Sequence, residues 1–177
     1  MVLTSFEVNY VKKGRINVYY GAGKGKSTAA IGKALTDAGN GCNVFVIQFL
    51  KGRYTEILKY LKRLEPELKV FSFEKIDRFY EELNDKEKEE EKFNILNGVN
   101  FTKKVVSIGE CDILVLDEFL GLVDLGIITV NDVLNILKSK PEDMEIIMTG
   151  RSMPEELIDA VDYISRIDVV KNSECDE

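Results

Sequence analysis

Residues 20–30 read YGAGKGKSTAA, and the architecture of the whole chain turns on this stretch. A phosphate-binding loop has the pattern G-x-x-x-x-G-K-[ST]. Counting back from Gly25-Lys26-Ser27 puts Tyr20 where the first glycine belongs; the glycines stand at Gly21, Gly23 and Gly25, with Lys24 inside the loop. Upstream, RINVYY (15–20) reads as a strand. Downstream, residues 27–38 read as a helix stopped by Gly39 and Gly41. Strand, glycines, helix is the setting a phosphate loop requires. The backbone N–H groups of Gly21, Ala22, Gly23, Lys24, Gly25, Lys26 and Ser27 can curl inward, because glycine tolerates the φ values involved. The helix that opens on Ser27-Thr28 adds its positive dipole end. Lys26 is placed to bridge phosphate oxygens, and the Ser27 hydroxyl to ligate Mg²⁺.

Working outward, apolar runs rich in β-formers alternate with helical stretches. Strands are expected over 43–49, 69–73, 112–118, 145–149 and 163–171, and helices over 54–64, 84–108 (one long or two short), 129–140 and 153–161. Such alternation predicts an α/β fold, a mostly parallel sheet with helices on both faces. Together with the loop, that is a P-loop NTPase-like (RecA-like) domain, and one domain suits 177 residues. The run EELNDKEKEEEK (81–92) reads as a solvated helix face rather than an acidic partner-binding tail.

The strand ILVLDE ends in Asp117 and Glu118, at the carboxyl edge where ligands bind in open α/β sheets. Two adjacent carboxylates there repel each other and are costly to desolvate, so a divalent metal shared with Ser27 makes sense of them. Arg151, in TGR (149–151), lies just past another strand and can reach the phosphate end of the same site.

Composition narrows the chemistry. There is no histidine, so neither a Ser-His-Asp nor a Cys-His triad can be built and a zinc site is not expected. Cys42, Cys111 and Cys175 are scattered, which fits a reducing, cytoplasmic setting. The net charge of −7 argues against a broad nucleic-acid surface. The opening MVLTSFEVNYVKKG lacks the apolar core of a secretory signal, and no apolar run reaches the length of a membrane span.

The ordered set GAGKGKSTAAIGKAL, VIQFLKG (46–52), VLDE (115–118) and IMTGR (147–151), then ELIDAVDYISRIDVVK, resembles the phosphate-loop type of cob(I)alamin (corrinoid) adenosyltransferase, over roughly residues 17–171. That family's loop also lacks the first glycine, so on this resemblance Tyr20 is a family trait. The resemblance implies ATP bound with its γ-phosphate deepest, cobalt attack on ribose C5′, and departure of triphosphate. It implies catalytic roles for Lys26, Arg151 and Glu118, a nucleotide set of residues 21–28 with Gln48, and Mg²⁺ on Ser27, Asp117 and Glu118. It further implies a homodimer and a flavoprotein reductant. Cobalt(I) is so strong a nucleophile that no protein base is needed, in keeping with a chain that has no histidine.

The chain departs from the family pattern in three places. Asn172 follows Lys171 where a lysine–histidine pair is usual, and the chain stops at Glu177. RYTEILKY follows Gly52 in place of a glycine–glutamate pair, and there is no tryptophan. Phe79 and Tyr80 stand roughly where the family places aromatics against the corrinoid; core packing is the alternative. Two other functions fit the same motifs: a conventional ATPase or kinase with Glu118 orienting water, and a corrinoid carrier or regulator that binds nucleotide without reacting, for which the shortened tail speaks.

Overall fold

The computed structural model describes residues 13–52 and 56–172. Strands β1 (Ile16–Tyr20), β2 (Val44–Gln48), β3 (Leu68–Ser72), β4 (Ile113–Asp117), β5 (Glu145–Gly150) and β6 (Tyr163–Arg166) form one parallel sheet in the order β3-β2-β4-β5-β1-β6. β2 and β4 are buried at every position, as befits strands covered on both faces. Alternate residues serve opposite faces. On one, Val44, Val46, Ile113, Val115 and Ile147 meet Ala30, Ile31 and Ala34 of α1 (Lys26–Gly39) and Leu61 of α2 (Glu56–Leu61). On the other, Phe45, Ile47, Leu114, Leu116, Ile146 and Met148 meet α3 (Asp85–Ile108) and, beyond the four-residue α4 (Gly121–Asp124), α5 (Val130–Lys138).

The 84–108 stretch is one helix of 24 residues. Asn84 starts it with a reciprocal capping box to Glu87, and Gly109, in the left-handed region, ends it. Two expectations are corrected. The stretch 153–161 folds as 3-10 turns over Glu155–Ala160, and the last strand stops at Arg166 instead of reaching 171. Only the residues between Gly150 and Tyr163 return the chain to the start of a parallel strand, and a 3-10 helix rises about 2.0 Å per residue against about 1.5 Å for an α-helix. β6 ends where its partner β1 does. Beyond it, the Ile167 carbonyl accepts from Gly23 N–H (2.8 Å), so this backbone serves the glycine loop. The short α4 lies below the reach of any periodicity.

Gly98 sits mid-way along α3, where glycine is a poor helix former. A Cβ there would lie 2.9 Å from the Phe49 ring and 3.0 Å from the Phe73 ring. Packing therefore outweighs propensity. Gly98→Ala is expected to destabilise the protein by about 1–2 kcal/mol, overpacking exceeding the gain in helix propensity. Urea unfolding is the check; unchanged or raised stability would show that the rings give way freely.

Candidate active site

The carboxyl ends of β1, β2, β4 and β5 converge on one edge of the sheet. Tyr20 is the last residue of β1, in register with Gly150 and Arg166, so the position that usually holds the first glycine belongs to a strand here. The turn begins at Gly21, whose φ of 118° and whose approach to the Ile167 carbonyl (a Cβ would lie 2.4 Å away) exclude other residues. Gly25, at φ 109°, caps α1. No side chain caps that helix and its first turn carries no acid, leaving its leading N–H groups open to an anion. Lys26 is buried and folds back, its Nζ donating to the Gly23 carbonyl at 2.8 Å. Ser27 is half-buried, while Ala22, Lys24 and Thr28 are exposed.

Across from the loop, Asp117 ends β4 and is almost wholly buried. Its Oδ1 accepts from the Thr149 hydroxyl (2.7 Å), and Thr149 Oγ1 accepts from Glu118 N–H (2.8 Å). Thr149, at the end of β5, thus fixes both acids. Glu118 has φ 58°, a conformation that costs a non-glycine residue about 1–3 kcal/mol and tends to mark functional turns. Gln48, buried at the end of β2, is in register with Asp117.

The expected metal set does come together, around a cation the sequence reading did not place. Lys51 Nζ donates to Ser27 Oγ (2.5 Å) and Asp117 Oδ2 (2.8 Å), and lies 3.6 Å from Glu118 Oε1. An ammonium standing among these three groups shows that they suit a cation. Among the described residues, no group of three or more His, Cys, Asp or Glu could hold a metal. An ion here would draw its other ligands from water and phosphate, the habit of Mg²⁺. Lys51 and Thr149 lie inside the quoted QFLKG and MTGR segments, the only sequence signal pointing to them.

Beside this cluster opens a cleft of about 190 Å³, lined by Leu50, Lys51, Phe79, Tyr80, Glu118 and Arg151 among others. Phe79 and Tyr80 are both there. Phe79 is 52% exposed, whereas Tyr80 packs against the main core, with its N–H donating to the Leu50 carbonyl (3.2 Å). Burial, and to a lesser extent the charge of Glu89, raise the Tyr80 phenol above its ordinary value. Arg151, expected to reach the phosphate end of the site, stands at that edge of the sheet beside the loop. Its guanidinium meets Glu81 at 2.8 Å on the cleft rim, while its carbonyl accepts from Gly21 N–H (3.2 Å).

Two buried glutamates hold this wall. Glu74 accepts from Leu50 N–H (2.6 Å) and the Ser72 hydroxyl (3.2 Å), and burial raises its carboxyl above the usual value against those hydrogen bonds. Glu91 accepts from the N–H groups of Lys75 (2.9 Å) and Ile76 (2.8 Å). The acidic run is therefore a solvated face with Leu83 and this one acid turned inward.

The family model for ATP:corrinoid adenosyltransferases of the BtuR/CobO/CobP type matches residues 12–176. The corrinoid adenosyltransferase CobA of Salmonella typhimurium is 30% identical over 162 residues, covering 92% of this chain and 80% of that protein. The corrinoid adenosyltransferase of Escherichia coli is 28% identical over the same shares. An uncharacterized protein of Nostoc sp. is 34% identical over 175 residues; the match covers 87% of this chain but only 43% of that protein's length. Among solved structures, the flagellar accessory protein FlaH from Methanocaldococcus jannaschii superposes with a TM-score of 0.60 at 16% identity, covering 87% of this chain and 71% of that one, a likeness of fold alone.

Proposed function

The chain belongs to the ATP:corrinoid adenosyltransferase family, and from that premise we propose that it transfers the 5′-deoxyadenosyl group of ATP to cobalt(I) of a corrinoid, releasing triphosphate. The observation that carries this reading is adjacency: the glycine loop and its cation cluster share Lys51 and Glu118 with an aromatic-walled cleft. In the step itself, the cobalt lone pair forms the Co–C5′ bond. The C5′–O bond breaks, and its electron pair leaves on the triphosphate.

No proton has to move, so the protein's work is positioning and charge stabilisation. The N–H groups of residues 21–27 and the ammonium groups of Lys24 and Lys26 take the leaving charge. Arg151 joins them by exchanging Glu81 for a phosphate oxygen, which its exposed ion pair permits at little cost. Gln48 lies at the nucleotide edge. Ser27, Asp117 and Glu118 would hold Mg²⁺, which would neutralise phosphate charge. Phe79 and Tyr80 close on the lower face of the corrinoid. A cytoplasmic homodimer supplied with electrons by a flavoprotein completes the proposal. The thiol of Cys111 fits a reducing compartment, and no helix among the described residues is long and apolar enough to cross a membrane.

The deciding experiment mixes the protein anaerobically with cobalt(I) cobalamin and ATP, following the absorbance change of cobalt–carbon bond formation and the phosphate product. Triphosphate with a new Co–C bond supports the transferase. ADP or orthophosphate would indicate an ATPase or kinase, and binding without turnover a carrier. The acids make a further prediction. Glu118→Gln and Asp117→Asn should each raise the Mg²⁺ concentration for half-maximal activity about tenfold, since each removes one charge from the cluster. Normal metal titrations for both variants would remove these residues from the metal site.

A further inference from the structure

Resting on the phosphate and metal site proposed above, we propose that Lys51 is that site's resident cation: it occupies the metal position while no ligand is bound, and yields it far more readily to metal and polyphosphate together than to metal alone. The ammonium uses Ser27 Oγ and Asp117 Oδ2, with Glu118 Oε1 the next oxygen at 3.6 Å. Asp117 Oδ1 is engaged by Thr149, so Oδ2 is the oxygen it turns to the cluster. Metal and ammonium therefore compete for the same position among these oxygens.

Charge gives the competition its sign. Asp117 and Glu118 carry two negative charges, and Lys51 returns one positive. A dication placed beside Lys51 would create an excess of positive charge in a pocket where Asp117 is buried. Metal alone must therefore expel the ammonium from its acceptors with only water to replace them. A polyphosphate chain changes this, supplying the oxygens on which the displaced ammonium can settle. Metal and polyphosphate should accordingly bind with positive coupling, and Lys51 is the physical link between them.

The backbone that carries Lys51 stays fixed in this exchange. Leu50 and Gly52 on either side have φ of 65° and 75°; the buried Glu74 holds Leu50 N–H, and the Leu50 carbonyl holds Tyr80 N–H. A Cβ at Gly52 would lie 2.9 Å from the Arg78 backbone, so the turn is also packed from outside. The lysine side chain thus swings on a clamped post. The nearby aromatic wall does not have to move with it.

The test measures protein-bound Mn²⁺ by ultrafiltration against protein-free controls that correct for Mn²⁺ held by the free anion, for wild type and Lys51→Met, each with and without inorganic tripolyphosphate. Wild type should bind Mn²⁺ weakly alone and about tenfold or more tighter with tripolyphosphate. Lys51→Met should bind Mn²⁺ alone about tenfold tighter than wild type does, and should gain less from tripolyphosphate. Nucleotide-free Lys51→Met that binds Mn²⁺ no better than wild type would overturn the inference while leaving the metal site standing. Wild type that ignores Mn²⁺ even with tripolyphosphate would remove the metal site, and the inference with it. If the variant does not fold, wild type still decides. The acetylation rate of Lys51, mapped by mass spectrometry, should rise with millimolar Mn²⁺ alone and fall again on adding tripolyphosphate; a rate indifferent to both would overturn the proposal.

Discussion

Lys26→Ala is expected to lower turnover by about 10²-fold or more with ATP and Mg²⁺ saturating, because in the proposed reaction it deletes a charge that meets the leaving group. Without ligand, the buried Lys26 ammonium satisfies itself on the Gly23 carbonyl at 2.8 Å. That bond spans the loop, so a triphosphate lying in the curl takes the place of a contact the lysine already makes, and little reorganisation is needed. Negative charge grows on the bridging oxygen only as the C5′–O bond breaks. The contact therefore strengthens toward the transition state, and its loss should fall on kcat more than on KM. Lys26→Ala also unties the loop from within, so the thermal midpoint of the unliganded variant should be measured alongside. A large loss of rate with a nearly unchanged midpoint assigns the effect to the leaving group. Near wild-type turnover would mean that residues 21–27 do not cradle the triphosphate.

What the sequence made legible here follows a physical division between local and non-local causes. β4 could be read because a strand buried on both faces must be a continuous apolar run, and its acids mark where it leaves the core. The loop could be read because left-handed turns and close backbone approaches at Gly21 and Gly25 demand glycine at particular spacings. Lys51 could not. Its role arises because β2 lies beside β4 with Gln48 opposite Asp117, bringing a lysine three residues on to Ser27 and both acids. Read in one dimension, a lysine before a glycine at a strand end is an ordinary surface charge. Glu91 was hidden differently: in a run of acids, nothing local distinguishes the one glutamate that turns inward to hold the backbone of residues 75 and 76. Arg151 was placed at the correct edge of the sheet. Its guanidinium partner Glu81, however, comes from the segment between β3 and α3, whose path depends on those buried glutamates. The crossover before β6 shows the same limit, since helical spacing alone cannot say whether the residues available suffice to span the strand.

The double variant Phe79→Ala with Tyr80→Ala should separate the two halves of the site. Reducing cobalt(II) becomes easier once the lower axial ligand departs and the metal is four-coordinate. A protein favours that state by presenting an apolar, desolvated wall to the lower face. Phe79 is 52% exposed on the cleft, so the fold has little to lose with its ring, and a large functional effect there cannot be mistaken for core damage. Tyr80 packs against the core and is tied to Leu50 through its backbone, which the substitution leaves in place. Neither the loop nor Ser27 and Asp117 line the cleft, so ATP affinity should stay nearly unchanged. Activity from pre-reduced cobalt(I) should survive in part, because the wall is not needed once the electron has been delivered. Starting from cobalt(II), activity should collapse by about 10²-fold, the size expected when a few kcal/mol of enforced geometry is lost. Paramagnetic resonance of cobalt(II) corrinoid on the ATP-bound protein reads the coordination state directly. Loss of the four-coordinate signal in the double variant assigns the wall to these two rings, whereas an unchanged signal would show that other side chains close the lower face.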